Sequence, residues 1–228
     1  MDIKIIASGS SGNAYLIGDG KTHLLLDAGI SFKRIQIGCG FKTSSIDACL
    51  VTHRHGDHAA AIPKLLQRGI TVYSNADVAG LYPGVQSVDA LREFRIGTFR
   101  VLPFEAEHDV PCYGYQATSV ETGEKLVYIT DSAYVRYTFT GLTHIMIEAN
   151  YAQEIIIDNA KHERIPLYLA ERVIQTHMSI ETLLDLLQAN DMSKVRQIYL
   201  LHLSDGNSDA EAFKRQVQQE TGAEVYIA

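Results

Sequence analysis

Short apolar runs separated by glycine-containing turns dominate the first half of the chain, at residues 3–7, 14–18 and 23–27. Runs of this length bounded by turn residues predict strands, and Asp19-Gly20-Lys21 between the last two predicts a hairpin. Residues 46–52 form a longer apolar run, read as a buried strand, and residues 59–68 read as a helix. Further strands are predicted at 70–74, 94–99, 99–104, 113–120, 125–130 and 143–148, with hairpin signals at Gly97 and at Glu121-Thr122-Gly123-Glu124. The pattern then changes. Residues 167–175, 180–189 and 209–221 are helical in period, and one β-branched and aromatic strand at 197–201 lies between the last two. Strands first and helices after suit an α/β fold in which two sheets pack face to face under outer helices, a four-layer αββα sandwich. A doubly wound parallel sheet suits the pattern less well, because the hairpins imply antiparallel pairs and no GxGxxG follows the first strand. No linker, charge block or repeat divides the chain, so residues 1–228 are expected to form a single domain.

Composition narrows the class of protein. Of the 228 residues 46% are hydrophobic, enough for a sizeable core. Twenty basic against 27 acidic side chains give a net charge of -7, which argues against a positively coated protein that binds nucleic acid indiscriminately. A local basic groove remains compatible, since bound metal ions can supply charge to a phosphate. Cys39, Cys49 and Cys112 follow no CxxC spacing, so neither a disulfide framework nor a thiolate zinc site is expected. No run approaches the roughly 18 to 20 apolar residues of a membrane span, and the N-terminus carries no leader pattern. The expectation is a soluble, cytoplasmic protein with no membrane partner; the oligomeric state is not legible.

The candidate chemistry is concentrated in His53-Arg54-His55-Gly56-Asp57-His58, on a strand-to-helix loop. Alternation puts His53 and His55 on one side of an extended segment, where both can reach one cation, while Asp57 and His58 lie past Gly56 and can turn toward a second. Imidazole suits zinc, iron or manganese, and carboxylate oxygen suits the harder ions. Further donors stand where strands end: His108 after the run ending at Phe104, Asp131 after 126–130 as a bridge between cations, and His202 after 198–201 to complete the second metal. His177, just before a helix, is read as a proton donor. Two divalent ions are expected, zinc or manganese first, with iron or nickel also accommodated.

HxHxDH at 53–58 with His108, Asp131 and His202 downstream resembles the metallo-β-lactamase fold superfamily over almost the whole chain. That resemblance implies one metal held by His53, His55 and His108, a second by Asp57, His58 and His202, Asp131 bridging them, and Asp27 supporting the cluster without ligating. Ser8-Gly9-Ser10-Ser11-Gly12-Asn13, Asp27-Ala28-Gly29, Thr130-Asp131-Ser132, Glu148-Ala149-Asn150-Tyr151 and Leu201-His202-Leu203-Ser204 resemble the YycJ (WalJ) branch, regarded as DNA-processing and exonuclease-like. One departure is Thr176-His177-Met178-Ser179, where the branch commonly has Gly-His-Leu-Ser. Likeness to the ribonuclease Z group implies that His177 protonates the leaving oxygen and that Glu148 orients it.

The implied reaction is hydrolysis of a phosphodiester in DNA, from a terminus, by a water deprotonated between two metals. The same metals would serve a small-molecule hydrolase acting on a thioester, lactone or cyclic phosphodiester, and that alternative stays open. The amides of the Gly/Ser turn with Ser11 and Asn13, and the basic pair Lys33 and Arg34, are the candidate phosphate contacts. Tyrosines near strand ends are read as core edges in preference to base-stacking platforms.

Overall fold

The first three predicted strands are β1 (Asp2–Ala7), β2 (Ala14–Gly18) and β3 (His23–Leu26), paired antiparallel in sequence order. They belong to a computed structural model that describes residues 1–228, in which the strands form two sheets, one of six strands and one of seven. The chain divides into two compact units: Met1–Glu105 with Val110–Glu124, and Ala106–Asp109 with Lys125–Ala228.

In the first unit the pairing switches after β3. Strands β4 (Ala48–Leu50), β5 (Thr71–Ser74) and β6 (Gln86–Ser87) follow in parallel, each joined by a helical crossover as parallel strands require. The crossovers are α1 (Phe32–Gly38), the pair α2 (Gly56–Ala59) and α3 (Ile62–Gln67), and α4 (Ala76–Leu81). The helix read from residues 59–68 corresponds to α3, shorter at both ends, and α2 precedes it as a separate turn of helix. Pro63 falls in the first turn of α3, where a missing N–H costs nothing. Phe32, Ile35, Ile62, Leu65 and Val78 from these helices pack with Leu25, Cys49, Val51 and Val72 as one buried cluster. The unit also carries β7 (Phe94–Ile96) and β8 (Phe99–Ala106), antiparallel about Gly97, and β9 (Cys112–Ser119). Gly97 sits at φ +52°, where a side chain would be strained and would collide with Thr22.

The second unit is built on four strands, β10 (Lys125–Ile129), β11 (His144–Glu148), β12 (Gln197–Leu201) and β13 (Glu224–Ile227), paired in parallel throughout. Every residue of β11 is buried, as a strand covered on both faces should be. Its helices are α5 (Gln153–Lys161), α6 (Leu167–Thr176), α7 (Ile180–Gln188) and α8 (Ala210–Thr221). Ser179 and Asp209 cap α7 and α8 by accepting from the amides of Thr182 and Ala212. Helix α5 and strand β13 have no counterpart among the predicted elements, and parallel pairing is more extensive than the hairpin signals suggest.

Candidate metal centre

In the first unit, the candidate donors follow the carboxyl ends of parallel strands, where open α/β sheets hold ligands. Leaving β4, the chain runs through Val51 and Thr52 to His53, and His55 lies at the entrance to α2. The Nε2 of His53 and Nδ1 of His55 are 3.1 Å apart. That is close to the roughly 3.3 Å edge of a tetrahedron with metal–nitrogen bonds of about 2.0 to 2.1 Å. The donor set fits a divalent ion on this ground. His58 Nε2 lies 3.6 Å from Asp57 Oδ2, which brings a second imidazole and carboxylate side by side.

Asp27 organises this loop without facing it. It is fully buried, adopts a left-handed φ of +56° one residue beyond β3, and accepts from the Thr52 amide at 2.8 Å. Its Oδ2 lies 2.7 Å from His58 Nδ1, so the ring N–H donates there and the lone pair sits on Nε2. The Thr52 hydroxyl is 3.1 Å from the same carboxylate and 3.0 Å from His53 Nδ1. Its one hydrogen belongs on the charged oxygen, so its lone pair accepts from His53 Nδ1–H, and His53 too presents Nε2. One carboxylate thus sets the tautomer of both histidines, one directly and one through Thr52. Sequence reading found Asp27 and missed Thr52, which looks like the last residue of an apolar strand.

Backbone stitching fixes the loop. Asn13 N–H donates to the Asp57 carbonyl and Ala28 N–H to that of His58. A Cβ on Gly29 would lie 1.5 Å from the Asp57 oxygen, so only glycine allows this approach. Asn13, expected to meet a phosphate, is instead fully buried. Its Oδ1 accepts from Gly9 N–H and Tyr15 O–H, and its Nδ2 reaches the Gly9 and Asp57 carbonyls and lies 3.1 Å from His58 Nε2. It ties the Gly/Ser turn to the metal loop and has no face left for substrate. Ser11 is exposed at the tip of that turn, and Lys33 and Arg34 are exposed on α1.

In the second unit, Asp131, Glu148 and His202 stand at or just past the ends of β10, β11 and β12, and one donor atom from each, with one from His177, lie within 4.8 Å of one another. Asp131 and His202 both hold left-handed backbones, φ +46° and +53°. Glu148 is the organiser. Fully buried, it accepts the amides of Ser132 and Met178 on Oε2, each at 3.1 Å, and His177 Nδ1 on Oε1 at 2.6 Å, with His202 Nδ1 at 3.3 Å. Burial alone would raise its pKa, but the His177 and His202 contacts outweigh that and hold the carboxyl below its ordinary range. His177 stacks on the His202 ring at 5.2 Å and keeps 18% of its side chain exposed.

His202 is oriented by Asn150, whose Nδ2 donates to the His202 carbonyl at 2.8 Å and lies 3.0 Å from Nδ1. Burial opposes its charged form, yet the Asp131 and Glu148 carboxylates prevail and raise its pKa. His108 is nearly enclosed, with Nδ1 3.0 Å from the Thr176 carbonyl; burial lowers its pKa despite Asp131 and Asp109, favouring the neutral ring that can ligate.

Residues 22–203 match the model of the beta-lactamase superfamily domain, and the chain belongs to that superfamily. It is 28% identical to the exodeoxyribonuclease WalJ of Streptococcus pneumoniae, over 91% of this chain and 83% of that protein. It is 26% identical to the exodeoxyribonuclease YycJ of Bacillus anthracis, over 96% and 88%. The solved structure of the metallo-beta-lactamase fold protein YhfI from Bacillus subtilis matches with a TM-score of 0.77 at 18% identity, covering 99% of this chain and 95% of that one. The fold is the mixed α/β metallo-β-lactamase type, and the protein is a metal-dependent hydrolase of that fold with His/Asp clusters that could hold metal.

Proposed function

We propose that residues 1–228 act as one catalytic domain, a dinuclear metal-dependent phosphodiesterase that removes nucleotides from the end of DNA. The single observation that carries this reading is the buried Glu148 bonded to His177 Nδ1 at 2.6 Å, with the His177 side chain itself partly exposed. A phosphodiester needs a proton on its leaving alkoxide, and an imidazole backed by a carboxylate supplies one. The names of the WalJ and YycJ relatives support DNA as substrate. His53, His55 and His108 would hold one ion and Asp57, His58 and His202 the other, with Asp131 shared. The ions, zinc or manganese, when bound supply Lewis acidity at the phosphoryl group and lower the pKa of the attacking water.

The chain's own residues do the rest. Asp27 and Thr52 keep two imidazole lone pairs aimed, Glu148 supplies the counter-charge for a His177 ring protonated on both nitrogens, and His177 Nε2 gives its proton to the leaving oxygen. A panel of metals against single-stranded DNA, double-stranded DNA, a thioester and a lactone tests the reading, with Asp131→Ala as the inactive control. Release of nucleotides is expected. Cleavage of the thioester or lactone without nucleotide release would move the protein to the small-molecule hydrolases.

A further inference from the structure

Phe41 is held in a conformation that a phenylalanine does not favour and shows a face that a core residue would hide. It is 75% exposed, at φ +61°, directly after Gly40 at φ +59°. The left-handed pair closes α1, with Phe41 N–H donating to the Gln36 carbonyl at 2.7 Å. Glycine or asparagine would make that closure without strain, so nothing in the closure calls for an aromatic ring. Ile37, one helical turn back, is 55% exposed.

The stretch of chain that carries this ring holds cations and no anion. No acidic residue occurs from Ala28 to Ile46, while Lys33, Arg34 and Lys42 fall within that span, in a protein whose net charge is -7. Lys4 of β1 lies near enough to Cys39, which follows α1, to act on its thiol electrostatically. Leu91 is a useful contrast: it too is exposed at 59% with φ +60°, but Asp89 and Glu93 flank it. The segment carrying Phe41 is also continuous with the metal loop. Gly29 packs on the Asp57 carbonyl, Ala28 is bonded to His58, and α1 runs from there for about 10 Å.

We propose that Phe41, with Lys33, Arg34 and Lys42, forms a binding platform for single-stranded nucleic acid, the ring stacking on a base while the cations meet flanking phosphates. An exposed π-face that accepts any base, on a segment that also carries exposed cations, is the combination by which single strands are held without sequence preference. The inference rests on the phosphodiesterase reading for its choice of occupant, and its test separates the two.

Binding of a fluorescent single-stranded DNA of about ten nucleotides is followed by anisotropy with the manganese-loaded protein carrying His177→Ala, so that the probe is not consumed, and with Phe41 varied in that background. Phe41→Gly should weaken binding about tenfold or more, Phe41→Trp should retain it, and the thermal midpoint of Phe41→Gly should be unchanged or higher. Alanine at Lys33, Arg34 and Lys42 together should flatten the salt dependence. Hydrolysis of a small chromogenic phosphodiester should be the same in Phe41→Gly and Phe41→Trp as in the wild type. Undiminished binding by Phe41→Gly, a lowered midpoint, or association of the wild type with anionic phosphatidylglycerol vesicles but not with DNA would overturn the platform. Phe41-dependent binding with no nucleotide release by the wild type would instead sink the nuclease reading and leave the platform standing.

Discussion

Thr52 has one hydroxyl hydrogen, and three groups near it could use that proton or the lone pairs: the Asp27 carboxylate, His53 Nδ1 and His58 Nδ1. Giving the hydrogen to the carboxylate makes both rings donors at Nδ1 and acceptors at Nε2, which is the state a cation needs. Thr52→Val keeps the shape and removes the relay. Metal titration by calorimetry should show affinity falling about 10-fold, and Asp27→Asn, which disturbs both rings, should fall toward 100-fold. Equal affinity in wild type and Thr52→Val would show that the hydroxyl sets nothing. His177→Ala is expected to slow DNA hydrolysis by about 10² to 10⁴-fold, and far less a phosphodiester whose leaving group is nitrophenol, which departs without a proton. A loss of the same size on both substrates would remove His177 as the acid. Aspartate and histidine announce themselves in a sequence. Thr52 and Asn13 do not, because an amide or hydroxyl ending an apolar run reads equally well as a turn residue, and only distances assign its partner.

Asp19, at the β2–β3 turn, shows what a single carboxylate does between elements. Its Oδ2 accepts from the hydroxyls of Thr98 and Ser119, each at 2.6 Å, and its Oδ1 from the amides of Lys21 and Thr22. Burial would raise its pKa, but these four donors outweigh it and hold the carboxyl well below the ordinary range. A depressed folded pKa means that the stabilisation is complete above the unfolded value of about 3.9 and is lost as pH falls through the folded one. Asp19→Asn should therefore melt below the wild type at pH 7, with the difference shrinking as the solution is acidified. A constant gap would mean that the carboxylate charge contributes nothing. The hairpin carrying Asp19 was legible from Asp19-Gly20-Lys21, and so was the short turn at Gly97 opposite it. Helices α1 and α4 were not, because seven and six residues give too few turns for a period to emerge. Parallel pairing was under-read for a related reason: hairpins leave local turn signals, whereas crossovers leave none.

Across the whole chain, the candidate donors that sequence order spreads from residue 53 to residue 202 stand beyond strand ends, so metal uptake by the proposed centre should be felt globally. Protein stripped with a chelator and then given manganese or zinc at about 100 times its dissociation constant should gain about 2.7 kcal/mol. For a chain of this size that is a rise of roughly 5 to 10 °C in midpoint by scanning fluorimetry, absent in Asp131→Ala combined with His58→Ala. A shift that survives both substitutions would place the ion elsewhere. No helix is long and apolar enough to cross a membrane. The fold class was legible because α/β alternation and HxHxDH are both local patterns, while substrate preference depends on surfaces such as α1, where exposed charge alone carries little information.

Asp27, Asp131 and His202 share one more property: each side chain springs from a left-handed residue one or two positions past the end of a strand. The direction of each donor is thus settled by backbone that the sheet already holds, before the following loop begins. Ala133 and Tyr134 still bond to the backbone of Glu107, beside His108, but residues 136–138 past them include two exposed positions and hold no candidate donor. An architecture of this kind separates two evolutionary problems, keeping the chemistry fixed in the strand ends and leaving substrate choice to loops that drift. Replacing residues 136–138 by a longer segment, with the Ala133 and Tyr134 bonds to Glu107 kept, should therefore alter which substrates are accepted while metal affinity stays the same.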